Sequence, residues 1–151
     1  MNKFLRNWGP AIVWAGVISL MSTKYFAAER TSHFILPIVN FLFPHADAEQ
    51  QQRIHFFIRK FGHVFEYSVF GLLVLRGIRH GRREWRWTWA IVALAMSGAM
   101  GLLDEFHQAF VPGRTATPWD SLIDTCGAAG ALLLAWALIK IRATRPEVRE
   151  Q

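Results

Sequence analysis

Residues 102–130 read LLDEFHQAFVPGRTATPWDSLIDTCGAAG. Asp104, Glu105 and His107 close one apolar segment, the Pro112-Gly113 turn and Arg114 follow, and Asp120 and Asp124 open the next. Five ionisable groups and an arginine therefore crowd the link between two segments that otherwise carry no charge. Charge at hydrocarbon depth is expensive, so in a membrane protein it marks a functional site by default. The other apolar segments decide whether this link does lie at a membrane, and what else reaches it.

The 151 residues are 52% hydrophobic and 19% charged, with seven Trp and twelve Phe. That balance is too apolar for a small soluble domain unless the apolar residues come in blocks, and here they do. A net charge of +6 fits a nucleic-acid binder only where basic residues line one polar face. These cluster between the apolar blocks, as membrane flanks do, and no nucleic-acid motif is present. The single Cys126 has no partner for an internal disulfide and reads as a small packing residue within an apolar segment.

Residues 8–21 (WGPAIVWAGVISLM) are uncharged and lie between Lys3 and Arg6 on one side and Lys24 on the other. With Asn7, Ser22 and Thr23 they reach the roughly 17–20 residues a crossing needs. A cleaved signal peptide is the rival reading, but Phe26 stands two residues before Ala28, where cleavage wants a small side chain. Further apolar segments follow at 61–78, 87–103 and 121–139. The chain thus reads as an all-α polytopic membrane protein, one domain over 1–151 built as a bundle of four transmembrane helices at 7–23, 61–78, 87–103 and 121–139. Its long first external loop carries an apolar run, 33–43, too short to cross and expected to lie in the interface or re-enter. Asp47, with Glu49 and Gln50 behind it, reads as the N-cap of a helix running into the second span.

Eleven Lys and Arg residues flank the spans on the side of both termini, and six lie on the other. Short loops rich in Lys and Arg stay in the cytoplasm. Both termini are therefore expected in the cytoplasm, and the polar link on the extracytoplasmic side of the membrane. Trp85, Trp87 and Trp89 sit where an interfacial aromatic belt belongs. Small residues recur at Gly127, Ala131 and Ala135, and at Ala95 and Ala99 with Gly98 and Gly101 beside them, a pattern that suits close helix packing in lipid.

At offsets of three and four residues Lys60, His63 and Tyr67 share one helical face, with Glu66 beside them. Asp104 shares a face with His107 or Gln108, and Asp120 with Asp124. The alternating topology brings all three sets, with Glu105 and Arg114, to one membrane surface. His33, His45 and His55 read as surface or interfacial residues, and His80 falls in the basic inner loop. His107 fits a solvated position as well as a site.

The pattern Lys60-x2-His63-x3-Tyr67, then Asp104-Glu105-x2-Gln108-x-Phe110-x-Pro112-Gly113-Arg114, then Asp120 and Gly127, resembles the VanZ-like family of small bacterial membrane proteins. The resemblance covers about 60–130 and departs from the family at Asp124, where Asn is common. It implies a four-helix membrane domain and a connection to resistance against teicoplanin, a lipoglycopeptide.

Three uses of the site follow. In a binding site for a membrane lipid, a lipid-linked cell-wall precursor or a lipoglycopeptide, Arg114 and Lys60 hold an anionic head group and the carboxylates orient its polar parts. Residues 33–43 then cover the acyl chain. In a membrane enzyme, His63, Glu66, Asp104 and Glu105 are the candidate acids and bases, since clustered carboxylates raise one another's pKa. A divalent metal among His63, Asp104, Glu105, His107 and Asp124 is a variant of that reading, although Glu105-x-His107 is not a recognised ligand spacing and no nucleophile motif is present. The third use is packing alone, with Arg114 paired to Asp104 or Asp120 and Lys60 to Glu66. A transporter fits least, because no charged group lies midway along a span.

Overall fold

The longest helix starts at Asp47, whose carboxylate accepts the Gln50 N–H at 2.8 Å while Gln50 Oε1 accepts the Asp47 N–H at 3.1 Å. This reciprocal cap satisfies donors that the first turn leaves open. The computed structural model, which describes residues 2–26, 28–112, 114 and 116–144 and omits the side chains of 28–30, extends that helix over 32 residues. In chain order the helices are α1 (Lys3–Met21), α2 (Ala28–Leu42), α3 (Ala48–Arg79), α4 (Trp87–Gln108) and α5 (Pro118–Thr144), with a short 3-10 turn at Lys24–Phe26. No strand occurs among the described residues. At 1.5 Å per residue α3 is roughly 48 Å long, well beyond the ~30 Å of hydrocarbon it has to cross. His80 and Gly81, at φ 48° and 84°, then turn the chain toward α4.

Each of α3, α4 and α5 is long and apolar enough to cross a membrane. Helix α1 and the segment Lys24–Leu42 meet that condition together, as a pair bent by 67°. The architecture is that of a polytopic helical membrane protein with three to four spans. The run at 33–43 lies within the bent partner, α2, which packs on α3.

Ala11 and Ile18 of α1 are buried with Tyr67, Phe70, Val74 and Leu75 of α3, Ala93 of α4 and Leu132 of α5. Helix α3 is central, touching α1, α2, α4 and α5. Its crossing with α5 is tightest at Gly127, where a Cβ would stand 2.7 Å from the Val64 carbonyl oxygen. Only glycine permits that approach. On α4 the small residues in contact are Gly98, against Thr125, and Gly101, against Ser121. The expected row Ala95 and Ala99 is exposed instead, because rows four residues apart run side by side on one helix and only burial selects between them. Cys126 is likewise exposed rather than packed. Its neighbour Gly127 takes the contact with α3, leaving the thiol on a groove of about 700 Å³ between α3 and α5.

Antiparallel packing gives the bundle two unlike ends. At one, a Cβ on Gly77 would lie 2.8 Å from the Trp8 ring, and Arg76 Nη2 donates to the Arg6 carbonyl at 3.2 Å. The start of α1 thus lies beside the end of α3. Trp87 stacks there with Trp85 and Trp136, ring centres 5.6 and 5.5 Å apart. At the other end α1 and α4 finish and α5 begins.

Candidate functional site

Helix α3 delivers Arg59, Lys60, His63, Glu66 and Tyr67 to that second end within about two turns. Lys60 forms an ion pair with Asp120 in the first turn of α5, not with Glu66. One turn deeper, His63 Nδ1 lies 3.7 Å from Asp124 Oδ1. Deepest is Tyr67, which like Asp124 is 0% exposed. Neither the Tyr67 hydroxyl nor either Asp124 oxygen has a hydrogen-bond partner among the described residues. Buried polar groups are nearly always paired, so such a cluster of orphans asks for a reason.

Helix α4 contributes Asp104, 4% exposed, which accepts from Gln108 Nε2 at 2.7 Å and from the Ser22 hydroxyl at the end of α1. The adjacent Glu105 accepts the Thr117 N–H at 2.8 Å. That bond ties the end of α4 to the residue just before α5, whose first position is Pro118, as helix starts favour. The second oxygen of Glu105 is buried and unpaired. His107 is exposed, outside the cluster.

Arg114 crosses to α1, where Nη2 donates to the Met21 carbonyl and, at 3.4 Å, to that of Thr23. The last carbonyls of a helix have no internal donors and carry the negative end of its dipole. A guanidinium satisfies both needs, which is why Arg114 goes there instead of to Asp104 or Asp120. Burial pulls the Arg114 pKa below its ordinary value and Arg59 adds to this, while Asp104, Glu66 and Glu105 oppose it. Arginine stays a cation throughout.

Beside this clasp is a cavity of about 170 Å³. Met21, Phe26, Ile35 and Ile58 form its apolar wall, and Ser22, Thr31, Arg59, His63, Glu66 and Arg114 its polar one. Lys60, His63, Glu66, Tyr67, Asp104, Glu105, Gln108, Arg114, Asp120 and Asp124 thus gather at one end of the bundle, but only His63, Glu66 and Arg114 of these line the cavity. Ser22 and Arg59 were missed by the sequence reading. Arg59 had a signal, since Arg59, His63 and Glu66 fall at offsets of four and seven on one helical face. Ser22 had none, because its role depends on how α1 docks.

No three His, Cys, Asp or Glu side chains among the described residues come close enough to hold a metal ion. His63 and Asp124 approach only as a pair, Asp104 is occupied by Ser22 and Gln108, and Glu105 is turned to Thr117. The divalent-metal variant therefore has no ligand set in this geometry.

Helices that cross a membrane, joined at one end by a buried cluster of carboxylates, arginine, histidine and tyrosine, define a polytopic membrane protein with an internal polar site. A family model described as VanZ/LLP1 matches residues 8–140. The chain belongs to this family, and the match reaches well beyond 60–130, taking in α1 and α2. No curated protein and no solved structure matches it.

Proposed function

We propose that the protein recognises a lipid or lipid-linked component of the bacterial cell envelope at this cavity. The observation that carries the reading is the division of the cavity wall into an apolar half, with Phe26, Ile35 and Ile58, and a charged half, with Arg59, His63, Glu66 and Arg114. An amphiphile has the same two halves. The asymmetry of eleven against six basic residues supports cytoplasmic termini and an extracytoplasmic site in the inner membrane. Family membership supports a role in glycopeptide resistance, through a lipid-linked cell-wall precursor or through the lipoglycopeptide teicoplanin itself.

A second reading, an acid–base enzyme acting on a lipid-linked substrate, is favoured by His63, Asp124 and Tyr67. His63 lines the cavity and meets the buried Asp124 at 3.7 Å, and Tyr67 is buried one turn further along α3. Each has a polar atom without a hydrogen-bond partner among the described residues, as groups that move protons often do.

Mass spectrometry of envelope lipids and cell-wall precursors separates these. Wild type is compared with Asp104→Asn and Arg114→Ala at matched membrane levels. A lipid that co-purifies with wild type and falls about tenfold or more with Arg114→Ala, as loss of a charge-assisted contact predicts, supports recognition. A species made or consumed only by wild type makes the protein an enzyme. No difference of either kind sinks both readings and leaves the cluster as helix packing.

A further inference from the structure

The recognition reading leaves the ligand's chemistry open, and the cavity narrows it. Sites that hold drug-sized molecules run from about 300 to 1,000 Å³, so 170 Å³ is too small for a glycopeptide core or a sugar–peptide head group. It has room for one compact charged group.

The charges on its wall say which one. Two arginines, Arg59 and Arg114, face the cavity from α3 and from the α4–α5 link. Arg59 forms no ion pair among the described residues. Arg114 uses Nη2 on α1, and its Nε is buried without a partner. Lys60, the expected second cation, is absent from the lining and neutralised by Asp120. Guanidinium forks match the oxygens of a phosphate or carboxylate. The single carboxylate on the wall among the described residues, Glu66, forms no ion pair with them and repels a second anion. It favours a ligand that carries a hydrogen-bond donor close to its anion.

We propose, on the basis of the recognition reading, that the cavity takes a small substituted phosphate, with its oxygens between Arg59 and Arg114 and a hydroxyl or ammonium of its substituent at Glu66. Phosphoglycerol and phosphoethanolamine have this form, as lipid head groups or as free esters. The apolar rim of Phe26, Ile35 and Ile58, continued by the exposed Phe34, Ile38 and Phe41 of α2, gives acyl chains a way out and points to the lipid.

The test is native mass spectrometry of the full chain in detergent. The probes are dioleoyl phosphatidylglycerol, dioleoyl phosphatidylethanolamine, dioleoyl phosphatidic acid, dioleoylglycerol and glycerol phosphate. Both substituted phospholipids are expected to saturate one site at least about tenfold more tightly than dioleoylglycerol, the difference one charge-assisted contact supplies. Arg59→Gln abolishes that preference, whereas Arg53→Gln, an exposed arginine on the same helix paired with Glu49, keeps it. Glu66→Gln narrows the preference for phosphatidylglycerol over phosphatidic acid. Glycerol phosphate that binds as well as the lipid places the source in solution, and glycerol phosphate that does not bind places it in the membrane. Either outcome retains the phosphate. Dioleoylglycerol binding as tightly as the phospholipids, or Arg59→Gln binding like wild type in a folded protein, overturns the phosphate assignment while leaving lipid recognition standing. No saturable binding of any probe, together with unchanged envelope lipids, overturns both. Should Arg59→Gln melt early, Arg59→Lys keeps the charge, loses the fork and is read for a smaller loss.

Discussion

Where α3 gives way to α4, the arginines are on the outside. Arg82 and Arg86 lie over the Trp89 ring at 5.8 and 5.0 Å, and Arg86 meets Glu84 at 3.0 Å with both side chains largely in the open. Among the described residues two buried donors there lack partners, Arg79 Nε and Trp85 Nε1, but no carboxylate does. At the opposite end the carboxylates are inside, and oxygens of Asp124, Glu105 and Tyr67 are unpaired. Exposed basic residues need no further purpose than setting topology and touching anionic lipid, at about 1 kcal/mol each near the surface. Buried acceptors without donors lower stability by about 1–3 kcal/mol apiece. The polar end is therefore the one whose burial costs stability.

Three variants sharpen this contrast. Asp104→Ala is expected to have the largest effect. It strands the buried Gln108 amide and removes the Ser22 bond that joins α1 to α4, and thermal unfolding in detergent should show a loss of about 2 kcal/mol, near the upper end for interhelical polar contacts. A loss below about 0.5 kcal/mol would mean that this network is not holding α1 to α4. Asp124→Leu should go the other way. It replaces a buried carboxylate that has no hydrogen-bond partner among the described residues with an apolar group, so stability is expected to rise by about 1 kcal/mol. A stability drop would show that Asp124 has a structural partner. The smallest effect belongs to the basic end, where Arg82→Gln with Arg86→Gln should leave stability within about 0.5 kcal/mol. Their readout is topology: a reporter fused to the C-terminus should show a measurable fraction of inverted molecules. An unaltered ratio would assign orientation to the remaining arginines.

Much of this was legible from residue spacing. Apolar blocks bounded by charge gave the helices, and Asp47 with Gln50 marked the start of α3. Offsets of three and four placed Asp104 beside Gln108, and the alternating topology brought His63 and Asp124 to the same end. Rotation of one helix against another was not legible, because a helix apolar on most sides gives no face preference. Ala95 and Ala99 therefore read as well for packing as Gly98 and Gly101 beside them, and Cys126 as well as Gly127. The partner of Arg114 was equally hidden. Its acceptors are backbone carbonyls, which every residue has, and nothing in the side chains of Met21 or Thr23 announces them. Lys60 took the place of Arg59 for a related reason: two adjacent cations point about 100° apart on a helix, and only the docking of α1 and α2 shows which one meets the cavity.

The clasp between Arg114 and the end of α1 also sets a schedule. Its two halves are separated by 93 positions along the chain. Ribosomes add about 5–20 residues per second, so α1 enters the bilayer roughly 5–20 s before the arginine that closes over its terminal carbonyls has been made. For most of that interval Ser22 has no Asp104, and for all of it Met21 has no guanidinium. The arginine that completes the cavity wall is missing from any nascent chain that stops after the fourth helix.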